Sequence, residues 1–286
     1  TGAGAAVGAW SSGEDINNTR YELPGSGIIT AGLIFGGISP APASTGQTES
    51  YDGSSWTEVN DLNTARYAPG GTGTQTASVA AGGNDGSPTT GKTELWNGTN
   101  WTEVNDMSNV RRAFGMFGTS TSAMAASGDG GPGGTDGNAE TWNGTNWTEV
   151  NNMNTGRRHA GGAGNDSTTG LCFGGNAPPA PNGMANTETW NGTNWTEVND
   201  LNNSRYGAGG CGTPLAALAF GGNDGSNVGE TEEWNGASWS EVADLNQARR
   251  SFGTSGTDNE DGLAFGGNTP PGANYKNETE SWNGTS

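Results

Sequence analysis

An all-β, six-bladed β-propeller is the fold this sequence predicts, and three observations carry it. A hairpin block recurs along the 286 residues with its second tryptophan at Trp10, Trp56, Trp101, Trp147, Trp195 and Trp239, spaced by 46, 45, 46, 48 and 44 residues. A glycine pair keeps its own rhythm at Gly36-Gly37, Gly82-Gly83, Gly174-Gly175, Gly221-Gly222 and Gly266-Gly267, with Ser127-Gly128 standing in the third unit. Helical periodicity is absent, and short apolar runs bounded by turn residues read as strands within a repeat of blade length.

Each unit resolves into four strands. A Gly-rich strand follows an arginine, as in "YGAGGCGT" from Tyr206, and a small apolar strand ends in the glycine pair, as in "AALAFGG" from Ala216. A loop of varied length leads to "TETW" and then "WTEV", joined by a tight turn. In Trp96-Asn97-Gly98-Thr99-Asn100-Trp101, glycine at the first central position predicts a type II′ hairpin turn. That register sets Trp96 opposite Trp101 and, two residues further out on the same face, Glu94 opposite Glu103. The same arithmetic pairs Glu49 with Glu58, Glu140 with Glu149, Glu188 with Glu197 and Glu232 with Glu241, and sets Glu280 against Ser12.

Facing carboxylates destabilise a hairpin, so these pairs call for a cation. The basic residue common to all six units is Arg20, Arg66, Arg111, Arg157, Arg205 or Arg249, and each is expected to bridge a glutamate pair. All nine arginines occupy this position or the next one, and all 11 tryptophans fall in the two hairpin positions. Counting strands gives closure: residues 1–18 supply one outer strand and residues 250–286 the other three, so the chain 1–286 makes a single propeller of 24 strands. A closed ring also removes the exposed strand edges of an open array.

Composition bounds the function. The net charge of −19 disfavours nucleic acid, which needs a basic face. No apolar run is long enough to insert in a membrane, and the chain opens at Thr1 without Met or signal peptide, as a processed protein or part of a longer polypeptide would. Cys172 and Cys211 fall in strands of neighbouring repeats and read as buried free thiols. With one histidine there is no zinc site, and no cofactor or metal is expected. "NDG" at Asp85 and Asp224 reads as an Asx turn, since one carboxylate is far short of calcium's ligand set.

The Arg, Gly-rich strand, Gly-Gly doublet and aromatic-Trp offsets resemble the kelch repeat across almost the whole chain, which implies a propeller. Trp stands where kelch usually has Tyr, and the Gly/Thr/Asn content is extreme. "GTQTASVAAGG" and "NDLNTAR" also look like repeats of tail-fibre and other virion proteins of aquatic bacteriophages, which implies an extracellular or virion-associated setting. Kelch-type copper oxidases need several His and a Tyr–Cys pair, which one His cannot supply. The Ser-x-Asp-x-Gly spacing of sialidase boxes fails in "SYDGSSW" from Ser50. Five near-identical carboxylate pairs are also unlike the single asymmetric constellation of a glycosidase. A non-enzymatic module is therefore expected.

Its binding residues should lie where the repeat is broken. The residue after each repeated Arg reads Tyr21, Tyr67, Arg112, Arg158, Tyr206 and Arg250, and His159 follows Arg158. Tyr and Arg at the mouth of a propeller suit an interface, on the face that also carries the variable loops between second and third strands. The expected partner is a host-surface glycan or protein. The alternative is a structural decoration or spacer subunit packed against other virion or filament subunits.

Overall fold

The computed structural model describes residues 8–40, 43–86, 89–130, 134–178, 183–269 and 274–284. Six four-stranded antiparallel sheets surround an axis. The first is β1 (Gly25–Ile28), β2 (Ala31–Phe35), β3 (Thr48–Tyr51) and β4 (Trp56–Val59), ordered from the axis outward, and the next four blades repeat this order. The sixth combines Gly253–Ser255, Asp261–Phe265 and Thr279–Asn283 with the N-terminal strand Ala9–Gly13 as its outer edge. Trp10 pairs with Trp282 and Ser12 with Glu280, so the ring closes in the expected register. Beyond the 24 blade strands, Asn268–Thr269 and Asn274–Tyr275 form a small extra hairpin in the sixth blade's loop. Among the described residues there is no helix long and apolar enough to cross a membrane.

The glycine-rich inner strands follow from crowding near the axis. A Cβ on Gly71 would come 2.5 Å from the Phe35 ring of the preceding blade. Second strands such as Ala31–Phe35 are buried on both faces after their first residue, and read as continuous small-apolar runs for that reason. Aromatic residues fill the wedges between blades: Phe35 meets Trp101 edge-on at 4.7 Å, and Phe220 lies 4.8 Å from Trp10.

Five of the six outer-strand indoles are tied across a blade boundary, Trp56 reaching Thr279 Oγ1 at 3.2 Å. Trp101 Nε1 donates to Thr48 Oγ1 at 3.1 Å, Trp147 to Thr93 at 2.9 Å, Trp239 to Thr187 at 3.1 Å and Trp10 to Thr231 at 3.0 Å. The third blade carries Ala139 where the others have this threonine, and the buried Trp195 Nε1 has no hydrogen-bond partner among the described residues.

The hairpin register is the expected one, with Trp96 opposite Trp101 and Glu94 opposite Glu103. The turn differs in how it is held. Gly98 has φ +90°, as a glycine at the first central position should, but the Thr99 and Asn100 amides donate to Asn97 Oδ1 at 2.9 and 2.8 Å. Asn143, Asn191, Asn235 and Asp52 cap their turns in the same way. The conserved-looking Asn of each "WNG" is thus accounted for as a side-chain cap.

The arginines also depart from the expected bridging. Each contacts the third-strand glutamate of its own blade: Arg20–Glu49 at 2.6 Å, Arg66–Glu94 and Arg111–Glu140 at 3.1 Å, Arg157–Glu188 at 3.0 Å, Arg205–Glu232 at 2.8 Å, and Arg249–Glu280. The fourth-strand partners Glu58, Glu103, Glu149, Glu197 and Glu241 are exposed. Among the described residues no arginine bridges a facing hairpin pair, although Arg205 also reaches Glu230 at 3.0 Å; water screens the outer glutamate, and the buried one is shared with a second donor. Asn63 gives both its backbone N–H and its Nδ2 to Glu94 Oε2, at 2.8 and 2.9 Å, and Asn17, Asn154 and Asn202 repeat the arrangement. Four buried carboxylates therefore meet a guanidinium on one side and an asparagine clamp on the other, while Asn109 shares Glu140 Oε1 with Arg111 and Asn246 gives Glu280 only its backbone N–H; such donors are how a buried charge is tolerated.

Candidate functional site

The break in the repeat lies at the axis, two residues after each buried arginine. Glu22, Ala68, Ala113, His159, Gly207 and Ser251 occupy equivalent positions, all with left-handed φ between 50 and 63°. The conformation is dictated by a closed circle of backbone hydrogen bonds. Ala68 N donates to Glu22 O, Ala113 N to Ala68 O, His159 N to Ala113 O, Gly207 N to His159 O, Ser251 N to Gly207 O and Glu22 N to Ser251 O, over 2.6–2.9 Å. Only one of the six is glycine, although non-glycine residues enter this region at a cost. Such strain is held in place by surrounding structure and concentrates at functional sites.

Below the circle, three cavities of about 110, 140 and 210 Å³ stack along the axis, lined by inner strands and the segments leading into them. Thr72 Oγ1 donates to Gly118 O at 2.6 Å and Thr254 Oγ1 to Gly210 O at 3.1 Å, joining neighbouring inner strands across blade boundaries.

Around the circle stand the six residues that follow the buried arginines. Each forms a backbone bridge to the residue after its own blade's glycine pair: Tyr21 to Ile38, Tyr67 to Asn84, Arg112 to Asp129, Arg158 to Asn176, Tyr206 to Asn223 and Arg250 to Asn268. These bridges anchor the second-to-third-strand loops to the mouth. All six side chains are half-buried. Arg112 lies over the Tyr67 ring, 5.5 Å from its centroid, donates to the Tyr67 hydroxyl at 2.7 Å, and pairs with Asp129 at 3.1 Å. Arg158 reaches the same Asp129 carboxylate at 3.5 Å. Arg250 lies over the Tyr206 ring at 5.5 Å and donates to its hydroxyl, and no described carboxylate comes within 4 Å of it. Tyr21 stacks on Tyr275 at 4.7 Å, and burial, with the neighbouring Glu22 charge, pushes its phenol up to about 12.

His159 sits in the circle itself. Burial, reinforced by Arg158, Arg112 and Arg250, pushes its imidazole down to about 4, so it is neutral at neutral pH. Glu22, equivalent to His159 on the opposite side of the circle, is the site residue that the sequence reasoning missed. Burial pushes its carboxyl upward, against the opposing pull of Arg112, Arg250 and Arg158. No described residue hydrogen-bonds or ion-pairs with that carboxylate. Its signal in the sequence was the one that picked out His159, a departure from Ala, Gly or Ser two positions after the repeated arginine.

The other sequence candidates fall elsewhere. The buried Arg–Glu pairs lie within the blades. Cys172 and Cys211 are buried and unbridged, with thiols raised by burial. In the "NDG" loops, Asn84 Oδ1 accepts from Gly86 N and Asn223 Oδ1 from Gly225 N, the expected Asx-type turns. No group of three or more His, Cys, Asp or Glu side chains is placed to hold a metal among the described residues. No protein-family model and no curated protein matches the chain.

Proposed function

We propose that this chain is a non-enzymatic recognition module that binds an acidic surface glycan at the axial mouth of a kelch-like propeller. In this reading the propeller is carried on a virion or another extracellular surface. The observation that supports it most is the coincidence of three features at one place: the break in the six-fold repeat, a ring of left-handed backbone, and three half-buried arginines, two of them anchored on tyrosines and the third on Asn176 and Asp129. Against an overall charge of −19, Arg112, Arg158 and Arg250 outnumber the Asp129 and Glu22 carboxylates beside them. A local positive mouth on an acidic body would draw in an anionic chain and repel it elsewhere. The context of a phage or surface appendage rests on the resemblance of the repeats alone.

The test is binding of an acidic polysaccharide by the wild type and by the triple variant Arg112→Ser, Arg158→Ser, Arg250→Ser across a salt series, with circular dichroism as the folding control. The reading expects the variant to fold and to bind more weakly, most clearly at low salt. Equal binding by both forms, or none by either, would leave the chain as a structural decoration or spacer subunit.

A further inference from the structure

The three arginines explain attraction of an anion but leave Glu22 unexplained. The other five blades place Ala, Ala, His, Gly and Ser at its position, so the backbone circle does not require a carboxylate there. Ala68 and Ala113 hold the same left-handed conformation, at φ 50 and 52°, without one. Glu22 is half-buried, lines the mouth cavity of about 110 Å³, and has no donor among the described residues. Among the described residues no hydrogen bond reaches the His159 ring across the circle, which also lines this cavity and lies 6.2 Å from the Tyr206 ring. The mouth thus presents two acceptors to which no described residue donates, Glu22 and a nitrogen of the neutral imidazole, inside a ring of arginine donors.

A partly buried polar group without a partner is costly, and a ligand that supplies the partner recovers that cost. A sulfate ion offers acceptors only and brings added negative charge close to Glu22. A sugar ring that carries both a carboxylate and free hydroxyls satisfies both sets, with its acid oxygens toward the arginines and its hydroxyls donated to Glu22 and His159.

We propose that Glu22 is the specificity-determining residue of the mouth, selecting a uronic-acid unit of an acidic glycan over a donor-free sulfate anion. This rests on the reading of the mouth as an acidic-glycan site and names the sugar class it takes. Glu22 acts here as a fixed carboxylate within the arginine ring. It penalises any ligand that brings charge without hydrogen-bond donors, and so supplies discrimination rather than raw affinity.

The experiment compares the affinities of a short oligogalacturonate and of inorganic sulfate for the wild type and for Glu22→Ala, with a sulfated oligosaccharide of similar length as a third probe. Alanine is the residue that two sister blades already carry at this position, so the variant keeps the fold. The wild type should prefer the uronate to inorganic sulfate, with the sulfated oligosaccharide, which brings hydroxyls of its own, between them. In Glu22→Ala that preference should fall about tenfold, because sulfate gains while the uronate loses an acceptor. Arginine-dependent uronate binding with a preference unchanged in Glu22→Ala overturns the role of Glu22 alone. A wild type that prefers sulfated probes overturns the sugar class. Binding of no probe by the folded wild type overturns both this inference and the reading of the mouth as a glycan site.

Discussion

At the scale of single residues, the repeat is informative where it fails. Ala139 replaces a threonine whose hydroxyl accepts the Trp indole of the next blade at the other boundaries, and Trp195 is left with a buried, unpartnered N–H. An orphaned buried donor costs on the order of 1–3 kcal/mol. Ala139→Thr should therefore stabilise the protein by about 1 kcal/mol, measured by chemical denaturation; a neutral or destabilising change would mean that the indole is satisfied in some other way. His159 gives a second residue-scale expectation. Its folded pKa of about 4 lies below the ordinary 6.5, so the unfolded chain binds the proton more readily. The stability linked to this group is full above pH 6.5 and is lost as pH falls toward 4. Between neutrality and about pH 5 the wild type should lose about 2 kcal/mol more than His159→Ala, the residue that Ala113 already places in the circle. Parallel losses in the two proteins would show that the imidazole titrates normally.

At the scale of elements, the strand Ala9–Gly13 closes the ring by pairing with Thr279–Asn283. Removing residues 1–13 should bare the edge of the sixth blade, strip Phe220 and Trp282 of the Trp10 contact, and produce self-association with a lowered melting temperature. A truncated chain that stays monomeric and melts unchanged would contradict the closure. Register and closure were legible in the sequence because strand pairing is fixed by period-two arithmetic around a short turn; Trp96 opposite Trp101 needed only the spacing. The choice of the third-strand glutamate by each Arg was not legible. Spacing places Glu94 and Glu103 on one face, but which of them is buried depends on how deeply the blade sits under the segment from Asn63 to Arg66. That segment supplies the asparagine clamp. The turn cap by Asn97 was hidden for a similar reason: the sequence shows the glycine that permits the turn, while the side chain that takes over its hydrogen bonds is visible only in three dimensions. Glu22 departs from the repeat two positions after Arg20, but it was missed because the left-handed backbone that turns that position into the mouth is visible only in three dimensions.

At the scale of the whole molecule, six near-equal blades pose a choice between six equivalent binding sites and one scaffold with a single site on its axis. The buried Arg–Glu–Asn clusters and the indole–threonine bonds account for the repeated residues as scaffold. The residues left over, Glu22, His159, Arg112, Arg158 and Arg250 with their tyrosines, surround one mouth. The stoichiometry of binding decides between the two arrangements most directly. Titration calorimetry of the intact chain with a short oligogalacturonate should give about one ligand per chain, and the heat should vanish in the Arg112→Ser, Arg158→Ser, Arg250→Ser variant. About five or six ligands per chain, persisting in that variant, would place the sites on the repeated blades and contradict the account.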